Sequence, residues 1–141
     1  IYNDLEAMDG IVQDKVKALE YFKKAAAKGH RKSQYNVGFV YFHGVQGILG
    51  RPGIPENKKE AVKWWTMAAE EGCVKSQFML GYAYYDLVPV DGIVQDYAKA
   101  AKWFDEAARQ GDRIAQFLLG KMYFEGKGVP KNLLISPGRQ V

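Results

Sequence analysis

The chain offers few side chains that could carry out catalysis or bind a metal ion. Its two histidines, His30 and His43, have no serine or cysteine at a spacing typical of a nucleophile and its base. A lone histidine near a helix end is more often a capping or surface residue than a general base. Cys73 is the single cysteine, which excludes an internal disulfide and a multi-cysteine metal site. We therefore expect no catalytic residue, no metal site and no cofactor.

Two further segments resemble known motifs, one a calcium-binding loop and the other a collagen repeat. Asp91-Gly-Ile-Val-Gln-Asp96 has two carboxylates, too few ligands for an EF-hand loop, so we interpret it as a turn followed by a helix cap. Between Gly44 and Gly53 every third residue is glycine, but four triplets cannot support a collagen triple helix. We predict a flexible loop there, long enough to contact a partner.

Composition excludes several broad classes of function. The 141 residues include 20 basic and 16 acidic side chains, which alternate along amphipathic segments and so indicate solvated helix faces. A nucleic-acid surface would need a basic stripe with few acids nearby, so we expect no nucleic-acid partner. No apolar run reaches the length of a membrane span, so we expect no membrane insertion in this segment. The cellular compartment stays open.

The elements that must position any functional residue are internal repeats. Three segments align without gaps at 18–29, 61–72 and 100–111, and three others follow them at 33–41, 76–84 and 115–123. Their unequal spacing comes from one loop, longest between Gly44 and Asn57 and shortest between Gly126 and Asn132. Residues 2–14 also match residues 84–96, which places residue 1 inside a helix and predicts a fragment of a longer array.

Each repeat has the pattern of two helices. Apolar residues at Ala18, Tyr21, Phe22, Ala25 and Ala26 form one stripe of an α-helix. We predict N-caps for these helices at Asp14, Asn57 and Asp96, with a capping box between Asn57 and Glu60, and C-terminal left-handed glycines at Gly29, Gly72 and Gly111. Gly38, Gly81 and Gly120 recur within the following helix, which predicts a close backbone approach between the paired helices at each.

These motifs resemble those of the Sel1-like repeat, a relative of the tetratricopeptide repeat. The residues that carry the resemblance are Lys99, Ala100, Trp103, Ala107, Ala108, Gly111, Ala115, Leu119, Gly120, Tyr123, Gly126, Gly128, Val129 and Asn132. The resemblance implies an all-α fold, a right-handed α-α superhelix (solenoid) of stacked antiparallel helix pairs. Repeats would span 1–132, with a partial unit at 1–30, units at about 31–73 and 74–112, and a partial unit at 113–132. Pro137 and Gly138 break the pattern in a divergent or truncated tail, 133–141.

The same resemblance implies a protein–protein interaction scaffold that binds a protein or peptide on its concave face. A cysteine-rich branch of the family is associated with β-lactam binding or hydrolysis, but the single cysteine here disfavours that alternative. A cell-envelope module that binds peptides or glycans is a further alternative.

In the related tetratricopeptide architecture, the first helix of each pair lines the concave groove. By position, the candidate groove residues are Lys32, Tyr35, Phe39, Phe42, Lys75, Phe78, Tyr82, Tyr85, Phe117, Lys121 and Phe124. Tyr35, Phe78 and Phe117 are aromatic at one shared position, which favours a packing role. Phe39, Tyr82 and Lys121 differ at one shared position, which favours a surface role, and aromatic residues are frequent in interface hot spots.

Overall fold

The computed structural model describes residues 2–48, 50–86 and 93–129, and these ranges contain six α-helices and no β-strand. The helices are α1 (Tyr2–Ala27), α2 (Arg31–His43), α3 (Lys58–Glu70), α4 (Val74–Asp86), α5 (Tyr97–Arg109) and α6 (Arg113–Glu125). The all-α prediction is confirmed. Asn132 and the predicted tail, 133–141, lie outside the described residues.

The chain divides into two compact units, Ile1–Cys73 and Val74–Val141. In the first unit α2 packs against both α1 and α3, and in the second α5 packs against both α4 and α6. The pairs run antiparallel: Arg31 at the start of α2 donates a hydrogen bond to the Glu71 carbonyl after the end of α3. In the second unit, Gln110 after the end of α5 donates to Gln77 near the start of α4 at 2.8 Å.

Glycines end α1, α3 and α5 as the sequence predicts. Gly29, Gly72 and Gly111 have φ of 88°, 92° and 96°, the left-handed region that glycine adopts without a Cβ clash. In each case the backbone N–H of the next residue returns to a carbonyl of the last helical turn, for example Cys73 N to Ala68 O at 3.0 Å. This closure satisfies carbonyls that the helix end leaves without a partner.

The predicted N-caps are confirmed for α3 and α5 and wrong for α1. Asn57 Oδ1 accepts from Glu60 N at 3.0 Å, and Asp96 Oδ1 accepts from Lys99 N at 3.1 Å. The capping box is only half formed, because the Glu60 carboxylate accepts instead from the Trp64 indole N–H. Asp14 caps nothing, since α1 runs without interruption from Tyr2 to Ala27.

The glycine-rich segment between α2 and α3 is a small antiparallel hairpin rather than an irregular loop. Val45 and Ile54 exchange backbone hydrogen bonds of 2.7 and 2.9 Å, and Ile48 and Arg51 exchange two more of 3.0 and 2.9 Å. A Cβ on Gly53 would overlap the Val45 carbonyl, so the crossing requires glycine there. Ile54 is buried in the core formed with Leu19, Ala26 and Val37, which ties the hairpin to the first unit.

Candidate partner-binding surface

The paired helices α2 and α3 meet through one aromatic ring that lies on a glycine. Trp65 of α3 is fully buried and its ring lies against Gly38, where a Cβ would come within 2.4 Å of the indole. Tyr35 and Phe42 flank this glycine on α2 and contact the same ring, with centroids 6.4 and 5.1 Å away. The Trp65 indole N–H also donates to the Tyr35 carbonyl at 3.0 Å.

Helices α4 and α5 repeat this arrangement in the second unit. Phe104 of α5 is fully buried against Gly81, where a Cβ would lie 2.5 Å from the ring. Phe78 and Tyr85 of α4 flank that glycine, with ring centroids 5.8 and 6.3 Å from that of Phe104. We call the glycine with its two flanking aromatic residues the socket, and the inserted ring the knob. The predicted close packing on these glycines is confirmed at Gly38 and Gly81, although a side chain and not the backbone of the paired helix makes the contact, and it is wrong at Gly120, where a Cβ would meet nothing within 4 Å among the described residues.

These contacts assign several candidate binding residues to packing. Phe42 is buried beneath Trp65 and Lys58, so its prediction as a surface residue is wrong. Tyr35, Phe78 and Tyr85 are half-buried by the knobs. Burial, and then the nearby Cys73, raise the pKa of the Tyr35 hydroxyl, because both disfavour a negative charge there.

The remaining candidates face solvent. The position that varies among the repeats is exposed each time, at Phe39, Tyr82 and Lys121. Lys32 and Lys75 are also exposed, near the starts of α2 and α4. On α6, Phe117 and Phe124 are exposed although they stand at the positions that pack in α2 and α4. The first helices of the repeats, α2, α4 and α6, therefore present both aromatic rings and ammonium groups to solvent.

A cleft of about 210 Å³ lies beside Phe39, between α1 and α2. Its walls are mainly apolar and come from Ala18 and Phe22 of α1 and from Phe39 and Val40 of α2. Sequence reasoning did not select Phe22, because its place in an apolar stripe assigned it to the core.

Two polar side chains complete the cleft. Lys15 lies on its α1 side and His43 on its α2 side, where the imidazole ring is 4.3 Å from that of Phe39. His43, expected as a capping or surface residue, therefore lines a recess. Its spacing of four from Phe39 is the signal that places both on one helix face.

A second recess of about 380 Å³ adjoins the same end of α2. It is lined by residues 43–47 and 52–56, the two arms of the hairpin. His43, Gly44 and Val45 border both recesses, so a ligand in the cleft would also meet the hairpin.

Comparison with known proteins assigns the repeats. Residues 6–30, 31–73, 74–112 and 113–135 each match the family model described as the Sel1 repeat. The chain belongs to the Sel1 repeat family. Sel1 repeats are generally protein–protein interaction modules, and proteins built from them are typically non-catalytic scaffolds.

Solved structures agree with this assignment. One is the crystal structure of a protective antigen present in uropathogenic Escherichia coli strains and displaying an SLR fold; it is 38% identical with a TM-score of 0.68, over 84% of this chain and 23% of that one. Another is a Sel1 repeat protein from Oxalobacter formigenes, 34% identical with a TM-score of 0.67, over 80% of this chain and 42% of that one. The Sel1 chain described here thus spans less than half the length of either. A search of curated proteins gave no match.

Two further polar side chains of this Sel1 chain, His30 and Asp112, cap helices. His30 is the N-cap of α2, where its Nδ1 accepts from Ser33 N at 3.2 Å and lies 2.7 Å from the Ser33 hydroxyl. Asp112 caps α6 at the equivalent position, accepting from Ala115 N at 3.0 Å. Within the described ranges no three His, Cys, Asp or Glu side chains are grouped to hold a metal ion, and no helix is long and apolar enough to cross a membrane.

Proposed function

We propose that this Sel1 chain is a scaffold or adaptor that binds a partner protein or peptide on the exposed residues of its first helices. The observation that carries the proposal is the cleft beside Phe39, where an exposed aromatic ring adjoins an apolar recess. Tyr82 occupies the same repeat position in the second unit and is also exposed. Large aromatic residues are frequent among the few interface residues that contribute most of the binding free energy.

The chemistry of these residues specifies the partner segment. The cleft walls are apolar, so they favour an aliphatic or aromatic side chain of the partner. Lys15 stands at the cleft and Lys32 is exposed near the start of α2 in the same unit, while Lys75 and Lys121 are exposed on α4 and α6 of the second unit. A segment with acidic residues flanking an apolar anchor would complement both features, since charge complementarity raises specificity and the association rate.

The proposed contact set follows the predicted groove after correction for burial. It consists of Lys32, Phe39, Lys75, Tyr82, Phe117, Lys121 and Phe124, with Tyr35, Phe78 and Tyr85 contributing only their exposed edges. Phe42 is left out because its ring is buried.

A double substitution tests the surface and leaves every socket residue in place. In Phe39→Ala with Tyr82→Ala, both side chains are exposed, so we expect an unchanged helical circular-dichroism spectrum. Affinity for a partner captured by the wild-type chain and then purified should fall at least about tenfold, as is common for hot-spot truncation. Titration calorimetry with that purified partner measures the change.

Tyr21→Ala is the control, because Tyr21 is also an exposed aromatic residue but lies on α1, the second helix of its repeat. It should retain wild-type affinity. Equal loss of binding in the control, or full binding by the double variant, would place the interaction on another surface.

We also propose that the chain acts by binding and not by catalysis, and that its partner is not a nucleic acid. Support comes from the family and from the separate structural environments of His30, His43 and Cys73. A hydrolase screen that includes β-lactam substrates, with His43→Ala and Cys73→Ala beside the wild type, tests this. Turnover abolished by either substitution would contradict it.

A further inference from the structure

Helices α2 and α6 begin at equivalent places of the repeat with caps of different chemistry. Asp112 caps α6 by accepting from Ala115 N at 3.0 Å, and His30 caps α2 through Nδ1, which accepts from Ser33 N at 3.2 Å. A carboxylate is ionised and accepts hydrogen bonds above about pH 4, whereas an imidazole nitrogen accepts only while the ring is neutral. Of these two caps, only that of α2 changes its hydrogen-bonding capacity near neutral pH.

The N–H group that His30 caps depends on this one acceptor. Ser33 is the third residue of α2, so its N–H lies in the first turn, where no carbonyl of the helix can accept it. The backbone ladder begins one residue later, with Gln34 N donating to the His30 carbonyl at 3.0 Å. Because Ser33 is buried, losing the acceptor leaves a backbone donor poorly replaced by water.

Protonation reverses the contact between His30 and Ser33. In the neutral ring that accepts at Nδ1, the proton is on Nε2, and the Ser33 hydroxyl oxygen lies 2.7 Å from Nδ1. The imidazolium ion carries a proton on both nitrogens, so Nδ1 can donate to that oxygen but can no longer accept from Ser33 N. The ring would then remain beside Ser33 without capping the helix.

The charges around this turn do not compensate for the lost acceptor. The three elements that meet there carry Lys28 at the end of α1, Arg31 and Lys32 at the start of α2, and Glu70 and Glu71 at the end of α3. The cations outnumber the carboxylates, and the N-terminus of α2 adds the positive end of its helix dipole. A positive charge on the His30 ring therefore adds to a surplus of the same sign.

We propose that His30 is a pH-sensitive switch at the start of α2. Protonation of the ring removes the cap and loosens the first turn, whereas the first turn of α6 is unaffected. The stability that the cap contributes is present while the ring is neutral, and it is lost as the pH falls through the range in which histidines titrate, around 6.5.

Two contacts of this turn show what the switch would control. Arg31 donates to the Glu71 carbonyl and so joins the start of α2 to the end of α3. Lys32 is exposed in the same turn and belongs to the proposed contact set. Acid would thus weaken partner binding, a consequence that rests on the proposed function, whereas the switch itself does not.

Amide hydrogen exchange of the 141-residue chain, at about pH 7.5 and about pH 5.5, tests the switch without a partner. Rates are converted to protection factors, which removes the intrinsic effect of pH on exchange. In the wild type, protection of the Ser33 amide should fall about fivefold at the lower pH, as expected for loss of one N-cap. Protection of the Ala115 amide should stay constant, because the Asp112 carboxylate remains ionised over this range.

Three substitutions identify the group responsible. His30→Asp gives α2 the cap of α6, and His30→Asn gives it an uncharged cap, so both variants should keep the Ser33 amide equally protected at the two pH values. His43→Gln removes the only other histidine and should preserve the fivefold fall. In the wild type, the His30 ring followed by NMR should titrate over the same pH range as the loss of protection.

The opposite results would overturn the switch. These are equal protection of Ser33 at both pH values in the wild type, a fall that persists in both His30 variants, or a fall that disappears in His43→Gln. An equal fall at Ala115 would indicate a general loss of stability instead. Since the measurement uses no partner, failure here leaves the proposed binding surface in place, and failure of the Phe39 and Tyr82 double variant leaves the switch in place.

Discussion

The sequence Asp-Gly-Ile-Val-Gln-Asp occurs twice in this chain and folds in two ways. At 9–14 it lies within the continuous helix α1. At 91–96 the described residues, 93–96, are non-helical and lead into α5, with Asp96 as the N-cap. Identical residues at equivalent places of a repeat therefore do not guarantee one conformation.

The two copies also bury opposite residues. In α1, Val12 is 6% exposed while Ile11 is 55% exposed. Before α5, Ile93 is 7% exposed while Val94 is 61% exposed. The backbone conformation decides which of two adjacent apolar side chains faces the core, because a helix and an extended segment direct them differently.

The residues that precede each copy explain the difference. Glu6-Ala7-Met8 precedes the first copy, and all three residue types have high helix propensity. Val88-Pro89-Val90 precedes the second, and proline removes a helical hydrogen bond while the branched valines favour extended backbone. The neighbouring tripeptide, and not the shared hexapeptide, selects the conformation.

The largest effect should come from placing a proline before the first copy, at Ala7, the position that Pro89 occupies before the second copy. Ala7→Pro should cost about 3 kcal/mol of helix stability, since proline at an interior helical position removes a hydrogen bond and clashes with the preceding turn. We expect α1 to begin after Asp9 or later, seen as loss of helical Cα chemical shifts and faster amide exchange upstream. Ala7→Gln, a good helix former, is the control. A helix that persists through residues 4–10 in the proline variant would refute this explanation.

Replacing Ile11 and Ile93 with alanine should lower stability by different amounts, because only Ile93 is buried. Ile93→Ala removes a buried side chain and should destabilise the second unit by about 2–3 kcal/mol, whereas Ile11→Ala should change stability by less than about 0.5 kcal/mol. Urea denaturation of both variants measures the difference. Equal losses would show that the copies share one conformation in solution.

Replacing the two valines with alanine should destabilise the first copy more than the second, and by less than the isoleucine substitution does. Val12→Ala removes two buried methyl groups and should cost about 1.5–2 kcal/mol, whereas Val94→Ala should be nearly neutral. The same denaturation series applies. A larger loss at Val94 than at Val12 would reverse the assigned faces.

The sequence predicts most of the fold because its signals are local. The apolar stripes, the glycines at Gly29, Gly72 and Gly111 and the N-caps at Asn57 and Asp96 depend on residues within one or two turns. The error at Asp14 arose because repeat alignment carried a cap from one copy to the other, although the tripeptide before it favours helix. The hairpin at 44–56 was missed because its pairing depends on the burial of Ile54 by distant residues.

The candidate surface is less predictable than the fold. Variation at the position of Phe39, Tyr82 and Lys121 indicated exposure, and all three are exposed. Phe42 and Phe124 occupy one repeat position but differ in burial, because α3 covers the first and nothing in the described ranges covers the second. The cleft beside Phe39 arises from the packing of α1 on α2, which a one-helix pattern does not contain.

The smallest predicted effect tests the two aspartates that end the hexapeptides. Asp96→Ala removes the acceptor for Lys99 N and should cost about 1 kcal/mol, as loss of an N-cap usually does. Asp14→Ala should be neutral or stabilise slightly, because Asp14 is exposed within a helix where alanine is favoured. Thermal melts should place the second variant about 3 °C or more above the first. Because the side chain and the five residues before it are the same at both sites, a difference between these variants must come from outside the hexapeptide and from the backbone conformation that those residues select. Equal destabilisation would mean that Asp14 also caps a helix, and therefore that α1 is interrupted at residues 9–13 in solution.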